Sequence, residues 1–109
     1  MLSAWMKTVE KDEIIEIGID EKERLYLKPA SKRFPYIYRE AAEVHWDDNG
    51  MFLYSPKPRE WSYLDWFKQI VSVAKCQSCS LYITKNTRWL NIPEDLKKQI
   101  MEHYKSEGT

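Results

Sequence analysis

The stretch PREWSYLDWFKQIVSVA, residues 58–74, determines how the rest of the chain is interpreted. Ser62 followed by Asp65 has the spacing of a capping box, with aspartate in place of glutamate, so a helix is predicted to begin there. Behind the cap, apolar residues recur at three-to-four spacing and leave only a narrow polar stripe. Burial of Trp66 or Phe67 is worth about 3 kcal/mol each before ordering costs, so this helix is predicted to form the centre of the core.

Two stretches ahead of this helix show the two-residue period of strands: residues 14–20, IIEIGID, and residues 24–28, RLYLK. The polar residues between them predict a hairpin turn. The alternating apolar residues are predicted to lie on one face: Ile15, Ile17, Ile19, Leu25 and Leu27. Gly18, inside the first strand, is predicted to mark either a bulge or the close approach of an aromatic side chain.

A second hairpin is predicted from two further strand-like runs, residues 36–46 and residues 51–55. Asn49 and Gly50 lie between these runs, and Asn-Gly is the dipeptide most typical of tight hairpin turns. The sequence therefore predicts two hairpins before the main helix, with a loop that carries a small basic spot between them.

The second hairpin has two possible registers, in which His45 faces either Tyr54 or Phe52, depending on whether two or four residues form the loop. Both registers place the same residues toward the main helix: Val44, Trp46, Met51 and Leu53. Both also place the same residues on the opposite face, beside the first hairpin: Tyr26, His45, Phe52 and Tyr54. Since the outer face of a one-sided sheet is normally polar, we expect the last helix, the N-terminal arm or a second subunit to cover these rings.

One more strand is predicted after the main helix, from Leu81 to Thr84, followed by a turn over residues 85–90. Residues 91–94, Asn-Ile-Pro-Glu, have capping-box spacing with a proline in the first turn, which predicts a surface helix to about Lys105. The predicted fold is a single α+β domain over residues 1–109. It is an antiparallel sheet of about five strands, formed by two hairpins, then helix, strand and helix, with the main helix packed on one face.

Composition narrows the classes of function. With 109 residues, 43% of them hydrophobic and 14% aromatic, the chain is long enough to bury a core without stabilising disulfides or metal ions. Its 17 basic and 17 acidic residues cancel, which removes the broad positive field that nucleic-acid binding requires. No charged leader precedes an apolar run, and no run approaches the length of a membrane span, so we expect a cytoplasmic protein that contacts neither nucleic acid nor membrane.

The two cysteines, Cys76 and Cys79, have C-x-x-C spacing across the predicted end of the main helix. A thioredoxin-like redox pair lies at a helix N-terminus, whereas the dipole at a C-terminus opposes the thiolate. Zinc needs four ligands, and the other soft candidates, His45 and His103, are isolated from the pair and from each other. We therefore predict two buried free thiols, with no metal and no cofactor.

The favoured hypothesis is a protein-interaction module that forms a homodimer or another small homo-oligomer. Five tryptophans and seven tyrosines exceed what a small core readily absorbs, and Trp, Tyr and Arg dominate the energetics of interfaces. The candidate interface comprises the aromatic face and four residues beside the two helix starts: Tyr26, His45, Phe52, Tyr54, Arg59, Trp61, Arg88 and Trp89.

The alternative is a small-ligand-binding protein or a small enzyme with a pocket between the sheet and a helix. Glu43, His45 and Asp47 alternate on one strand and point to one side at steps of about 7 Å, as in a row for acid-base or metal chemistry beside Tyr54. The same pattern is typical of a solvated strand face, so no catalytic residue is predicted. Single-stranded nucleic-acid binding by the aromatic face is the least favoured hypothesis, because acidic residues lie in the same strands.

Two segments, REWSYLDWF at residues 59–67 and TRWLNIP at residues 87–93, resemble small proteins carried on mobile bacterial DNA. These are the integron gene-cassette proteins, and the segments also resemble the immunity proteins of toxin systems. Neither segment is a catalytic signature. The resemblance implies an accessory bacterial protein, often oligomeric, that binds a partner rather than transforming a substrate, and it assigns a role to no residue of this chain.

Overall fold

The computed structural model of the chain describes residues 10–34 and 43–108, with side chains described up to Tyr104. Its elements in chain order are β1 (Glu10–Ile19), β2 (Leu25–Pro29), β3 (His45–Asp47), β4 (Phe52–Tyr54), α1 (Tyr63–Cys76), β5 (Cys79–Leu90) and α2 (Glu94–Gly108). The strands form one sheet in the order β3-β4-β2-β1-β5. The predicted α+β class, and the order of two hairpins, helix, strand and helix, are confirmed.

The sheet is mostly antiparallel, but its β1–β5 pair is parallel. The reason lies in α1, which connects β4 to β5 and runs back along the sheet. Strands β4 and β5 therefore point in the same direction. Because β4 and β1 are both antiparallel to β2, β5 meets β1 in parallel. Strand patterns alone did not indicate this one parallel pair.

Helix α1 begins at the predicted cap. The Oγ atom of Ser62 accepts a hydrogen bond from the amide of Asp65 at 3.1 Å, and the Asp65 carboxylate accepts one from the amide of Ser62 at 3.1 Å. The buried face of the helix then follows the predicted apolar stripe: Trp66, Phe67, Ile70, Val73 and Ala74. The prediction that this helix carries the centre of the core is confirmed.

Helix α2 packs on the same face of the sheet as α1. Its buried residues Leu96 and Ile100 join the core that α1 forms with the sheet, and the ring of His103 meets the ring of Phe67 edge-on at 6.3 Å. Helix α2 therefore does not cover the opposite face, which removes one of the three predicted covers. Residues 1–9 of the N-terminal arm lie outside the described part of the chain.

Strand β1 departs from the predicted alternation. Ile14 and Ile17 are 1% and 0% exposed and lie in the core, whereas Ile15 does not pack there, so the prediction that Ile15 shares one face with Ile17 and Ile19 is wrong. The register shifts between Ile14 and Glu16 against both neighbouring strands, so a bulge adds one residue and resets which side chains point inward. Ile17 and Ile19 keep their predicted side.

Gly18 fulfils the second of its two predicted roles. A Cβ atom at this position would lie 2.5 Å from the Oη atom of Tyr26, because the tyrosine ring crosses directly over the glycine backbone. The bulge of β1 lies earlier in the strand, between Ile14 and Glu16. Gly18 therefore permits the close approach of an aromatic side chain.

Strand β5 is longer than predicted, and the predicted turn over residues 85–90 is wrong. The strand continues through a bulge between Ile83 and Arg88. Within the bulge, the amide of Thr84 donates to Oγ1 of Thr87 at 2.9 Å, and this hydroxyl donates to the carbonyl of Ile14 at 2.6 Å. The polar run resembles a turn in the sequence because side chains, rather than a regular ladder, satisfy its backbone.

The β3–β4 hairpin adopts the first of its two predicted registers, with His45 opposite Tyr54. Its turn nevertheless spans residues 48–51, and the residue with positive φ is Met51, at 58°. The Oδ1 atom of Asp47 accepts hydrogen bonds from two backbone amides of the turn, at 2.9 and 3.0 Å. These bonds hold the turn in another conformation, which explains why the Asn-Gly pair does not form a two-residue type I′ turn. Residues 36–42 of the predicted preceding strand lie outside the described residues.

Candidate functional site

The face of the sheet opposite α1 and α2, called the outer face here, brings four predicted residues together. We name them the outer-face cluster: Tyr26 of β2, His45 of β3, and Phe52 and Tyr54 of β4. Ring centroids are separated by 5.1 Å between Tyr26 and Phe52, 5.9 Å between Phe52 and Tyr54, and 5.4 Å between His45 and Tyr54. The predicted shared face is confirmed.

Strand alternation builds this cluster. Leu27 and Leu53 point toward the helices and are 0% exposed, so their neighbours along β2 and β4 point outward. Tyr54 is at the centre, directly opposite Tyr26 on one side and His45 on the other. His45 is exposed and the three other rings are half-buried, so the cluster presents aromatic surface.

A cation lies against the cluster. The guanidinium carbon of Arg24 is 4.3 Å from the centre of the Tyr54 ring, and its Nε atom donates to Asp20 at 2.8 Å. Partial burial disfavours the Asp20 carboxylate, but hydrogen bonds from Arg24 and the charge of Arg24 outweigh it and hold the pKa of Asp20 below its usual value. The carboxylate thus fixes the guanidinium over the ring.

A hydrogen-bonded row extends the cluster toward β5. The Oη atom of Tyr26 donates to Glu16 at 2.6 Å, and Nη2 of Arg88 donates to the other oxygen of Glu16 at 2.8 Å. Burial, then the hydrogen bond and charge of Glu16, raise the pKa of Tyr26 well above its usual value. The phenol of Tyr26 stays protonated and links the rings to the ion pair between Glu16 and Arg88. Arg88 is one of the residues predicted for the interface.

The candidate interface predicted from the sequence does not include Arg24 and Glu16. Arg24 was detectable, because it precedes Tyr26 by two positions and two-residue spacing keeps residues on one face of a strand. Glu16 was detectable in the same way, because its neighbour Ile17 points into the core and alternation therefore places Glu16 on the outer face.

Arg59 and Trp61 lie in the segment that leads into α1. The Trp61 ring is 4.7 Å from the Trp66 ring and 44% exposed, and Nη2 of Arg59 is 4.0 Å from the Glu43 carboxylate. These residues line a cavity of about 460 Å³. The indole nitrogen of Trp66 is buried and has no hydrogen-bond partner in the described part of the chain.

The four predicted residues beside the helix starts do not form one contact set. Arg88 bonds Glu16 on the outer face, whereas the Trp89 ring packs against the core with the Lys97 ammonium 5.3 Å from its centre. Neighbouring strand residues point to opposite faces, which separates this pair. Arg59 and Trp61 meet other partners ahead of α1.

The possible acid-base row on β3 is not assembled. Asp47 is engaged by the amides of its own turn, and Glu43 precedes the strand with a φ of 69°. His45 stacks on Tyr54 instead. Within residues 10–34 and 43–108, no group of three or more metal-ligating side chains comes together.

The two cysteines are free, but only one is buried. Cys79 begins β5 at 0% exposure, and burial followed by the charge of Asp12 raises the pKa of its thiol. The predicted burial of Cys76 is wrong: it ends α1 one turn after the exposed Ser72 and shares the solvent side of the helix. The buried thiol is therefore a poor nucleophile.

Comparison with known proteins identifies the family. Residues 12–87 match the family model described as Integron Cassette Protein Hfx_Cass5. This chain belongs to that family. It is also similar to a solved structure of the integron cassette protein Hfx_Cass5, from the mobile metagenome of the North West Arm sewage outfall. The two are 40% identical over 92% of this chain and 98% of that chain, with a TM-score of 0.44. No curated protein matches the chain.

The Hfx_Cass5 match runs from β1 to the bulge of β5 and therefore includes the whole outer-face cluster, while Arg88 and α2 follow its end. It confirms the resemblance to integron cassette proteins that residues 59–67 and 87–93 suggested. Neither helix in the described residues has the length and apolar character needed to cross a membrane.

Proposed function

We propose that this integron cassette protein is a self-associating interaction module whose outer-face cluster binds the same face of a second copy. The supporting observation is the cluster itself, in which four aromatic side chains from three strands form one partly exposed patch away from both helices. Tyrosine-rich patches of this kind dominate the energetics of interfaces. A chain without net charge has little repulsion to oppose their association.

The charges around the cluster favour a second copy as the occupant. Arg24 lies beside Asp20, and Arg88 beside Glu16, so both of these arginines on the outer face have a negative neighbour. In a two-fold dimer the same surface patch meets itself, so an excess of one charge would be repulsive, whereas neighbouring charges of both signs can pair across the interface. A partner of strong single-sign charge would gain little from such a surface.

Sedimentation velocity tests the proposal. The wild-type protein is expected to sediment as a dimer or small oligomer at high micromolar concentration. Tyr54→Glu places a carboxylate at the centre of the cluster and is expected to yield a monomer with an unchanged circular dichroism spectrum. Ser72→Glu, on the exposed side of α1, adds the same charge and should stay associated. A wild-type monomer, or a Tyr54→Glu protein that still associates, would refute self-association through this face.

A further inference from the structure

A groove on the other side of the molecule lies between α1, α2 and β5. Its volume is about 510 Å³, within the range of about 300–1,000 Å³ that is typical of small-molecule sites. Phe67, Val71 and Leu81 form an apolar floor, of which Phe67 and Leu81 are 2% and 4% exposed. The groove belongs to the helix side of the sheet and shares no residue with the outer-face cluster.

The ionisable rim of this groove is basic. Lys11 of β1, Lys75 of α1 and His103 of α2 line it, and none of the described residues that line it is acidic. The whole chain has equal numbers of basic and acidic residues, so this is a local departure from balance. Within the described residues, neither lysine has a carboxylate within 4.0 Å, so both ammonium groups are unpaired there.

A hydroxyl group completes the lining. Ser80, Tyr82 and Tyr104 border the groove. Ser80 and Tyr82 alternate with the buried Leu81 along β5 and point away from it, so the hydroxyl available on the helix side to donate to an anionic oxygen is that of Tyr104. His103 is held edge-on against Phe67, at 6.3 Å and 89° between the ring planes, so it forms a wall of the groove. The lining thus combines an apolar floor with cationic donors and the Tyr104 hydroxyl at the rim.

We infer that this groove binds a small amphipathic carboxylate, with its apolar body on the floor and its carboxylate toward the lysines. Burial of the apolar body supplies the non-directional part of the affinity. Charge-assisted hydrogen bonds from Lys11 and Lys75 supply the preference for an anion. The site is separate from the surface proposed for self-association, so each can fail without the other.

Amide chemical-shift titration of the full-length protein tests this inference, with octanoate as the probe. Octan-1-ol and octylammonium have the same chain without the negative charge and serve as ligand controls. Octanoate is expected to shift amides of Val71, Lys75 and Leu81 and to bind about tenfold more tightly than octan-1-ol, as one charge-assisted hydrogen bond warrants. Equal affinity for octanoate and octan-1-ol, tighter binding of octylammonium, or no shift at all would overturn the inference.

Variants locate the site. Lys75→Glu is expected to weaken octanoate binding at least about tenfold, because it replaces an attractive charge with a repulsive one. Val71→Trp fills the floor and should abolish binding. Lys68→Glu makes the same charge change on an exposed part of α1 outside the groove and should bind octanoate like the wild type. Equal binding by Lys75→Glu and Lys68→Glu would place the ligand elsewhere and overturn the assignment.

Discussion

The two faces of the sheet are built by the same strands and differ in how their side chains meet water. On the core face, Leu27 and Leu53 are fully buried beneath the helices and make no polar contact. On the outer face, their neighbours Tyr26 and Tyr54 are half-buried, and Tyr26 hydrogen-bonds to Glu16. In β2 and β4, aliphatic residues occupy the face that the helices cover, and aromatic rings occupy the partly exposed outer face.

The largest expected effect comes from removing one ring from the core beneath the helices and, for comparison, one ring from the outer face. Phe67→Ala or Trp66→Ala is expected to lower the free energy of unfolding by about 3–5 kcal/mol, because each leaves a cavity in the core. Phe52→Ala, on the outer face, should lose less than half as much, since its ring is only half-buried. Urea denaturation of the three variants measures the difference. Equal losses would mean that the two faces contribute equally to stability.

Gly18 offers a sharper test, confined to the outer face. Gly18→Ala places a methyl group 2.5 Å from the Tyr26 hydroxyl and is expected to cost about 1–3 kcal/mol, because the ring must move away. In a Tyr26→Ala background the same change should cost nothing, since the ring is gone. A double-mutant cycle in urea isolates this coupling. A full cost in both backgrounds would show that the glycine has a different role.

The smallest expected effect concerns the ion pair beside Tyr54. Asp20→Asn should cost less than about 1 kcal/mol at neutral pH, because the Asp20–Arg24 pair is partly solvated. The pKa of Asp20 is lower in the folded state than its ordinary value of 3.8, so the pair stabilises the fold above that pH. As the pH falls below 3.8, the carboxylate gains a proton and the difference between wild type and variant should shrink. A difference independent of pH would exclude the charge of Asp20 as its source.

Features that depend on local chemistry were predictable from the sequence. The cap of α1 requires only Ser62 and Asp65, three positions apart, and both hydrogen bonds form. The faces of the β3–β4 hairpin were also predictable, because alternation assigns the same residues to each face in either register. The outer-face cluster could be predicted from the sequence for this reason.

Features that depend on distant partners were not predictable. The bulge of β5 is stabilised when Thr87 donates to the carbonyl of Ile14, 73 positions earlier in the chain, and a sequence pattern cannot show that contact. Because Arg88 and Trp89 lie in this strand and not in a turn, they point to opposite faces, and the four predicted residues beside the helix starts do not come together. The groove could not be predicted from the sequence either, because the residues of its basic rim come from three separate elements.

The parallel pairing of β1 with β5 has a consequence for the order in which the fold forms. During synthesis β1 emerges before β5, so one edge of β1 lacks its partner strand until Cys79–Leu90 has been translated. Contacts that join distant segments form slowly, because the intervening chain must first be ordered. We therefore expect the nascent chain to expose an open strand edge, which is prone to aggregation, for most of its translation. The sheet gains its fifth and last strand when β5 is released and pairs with β1.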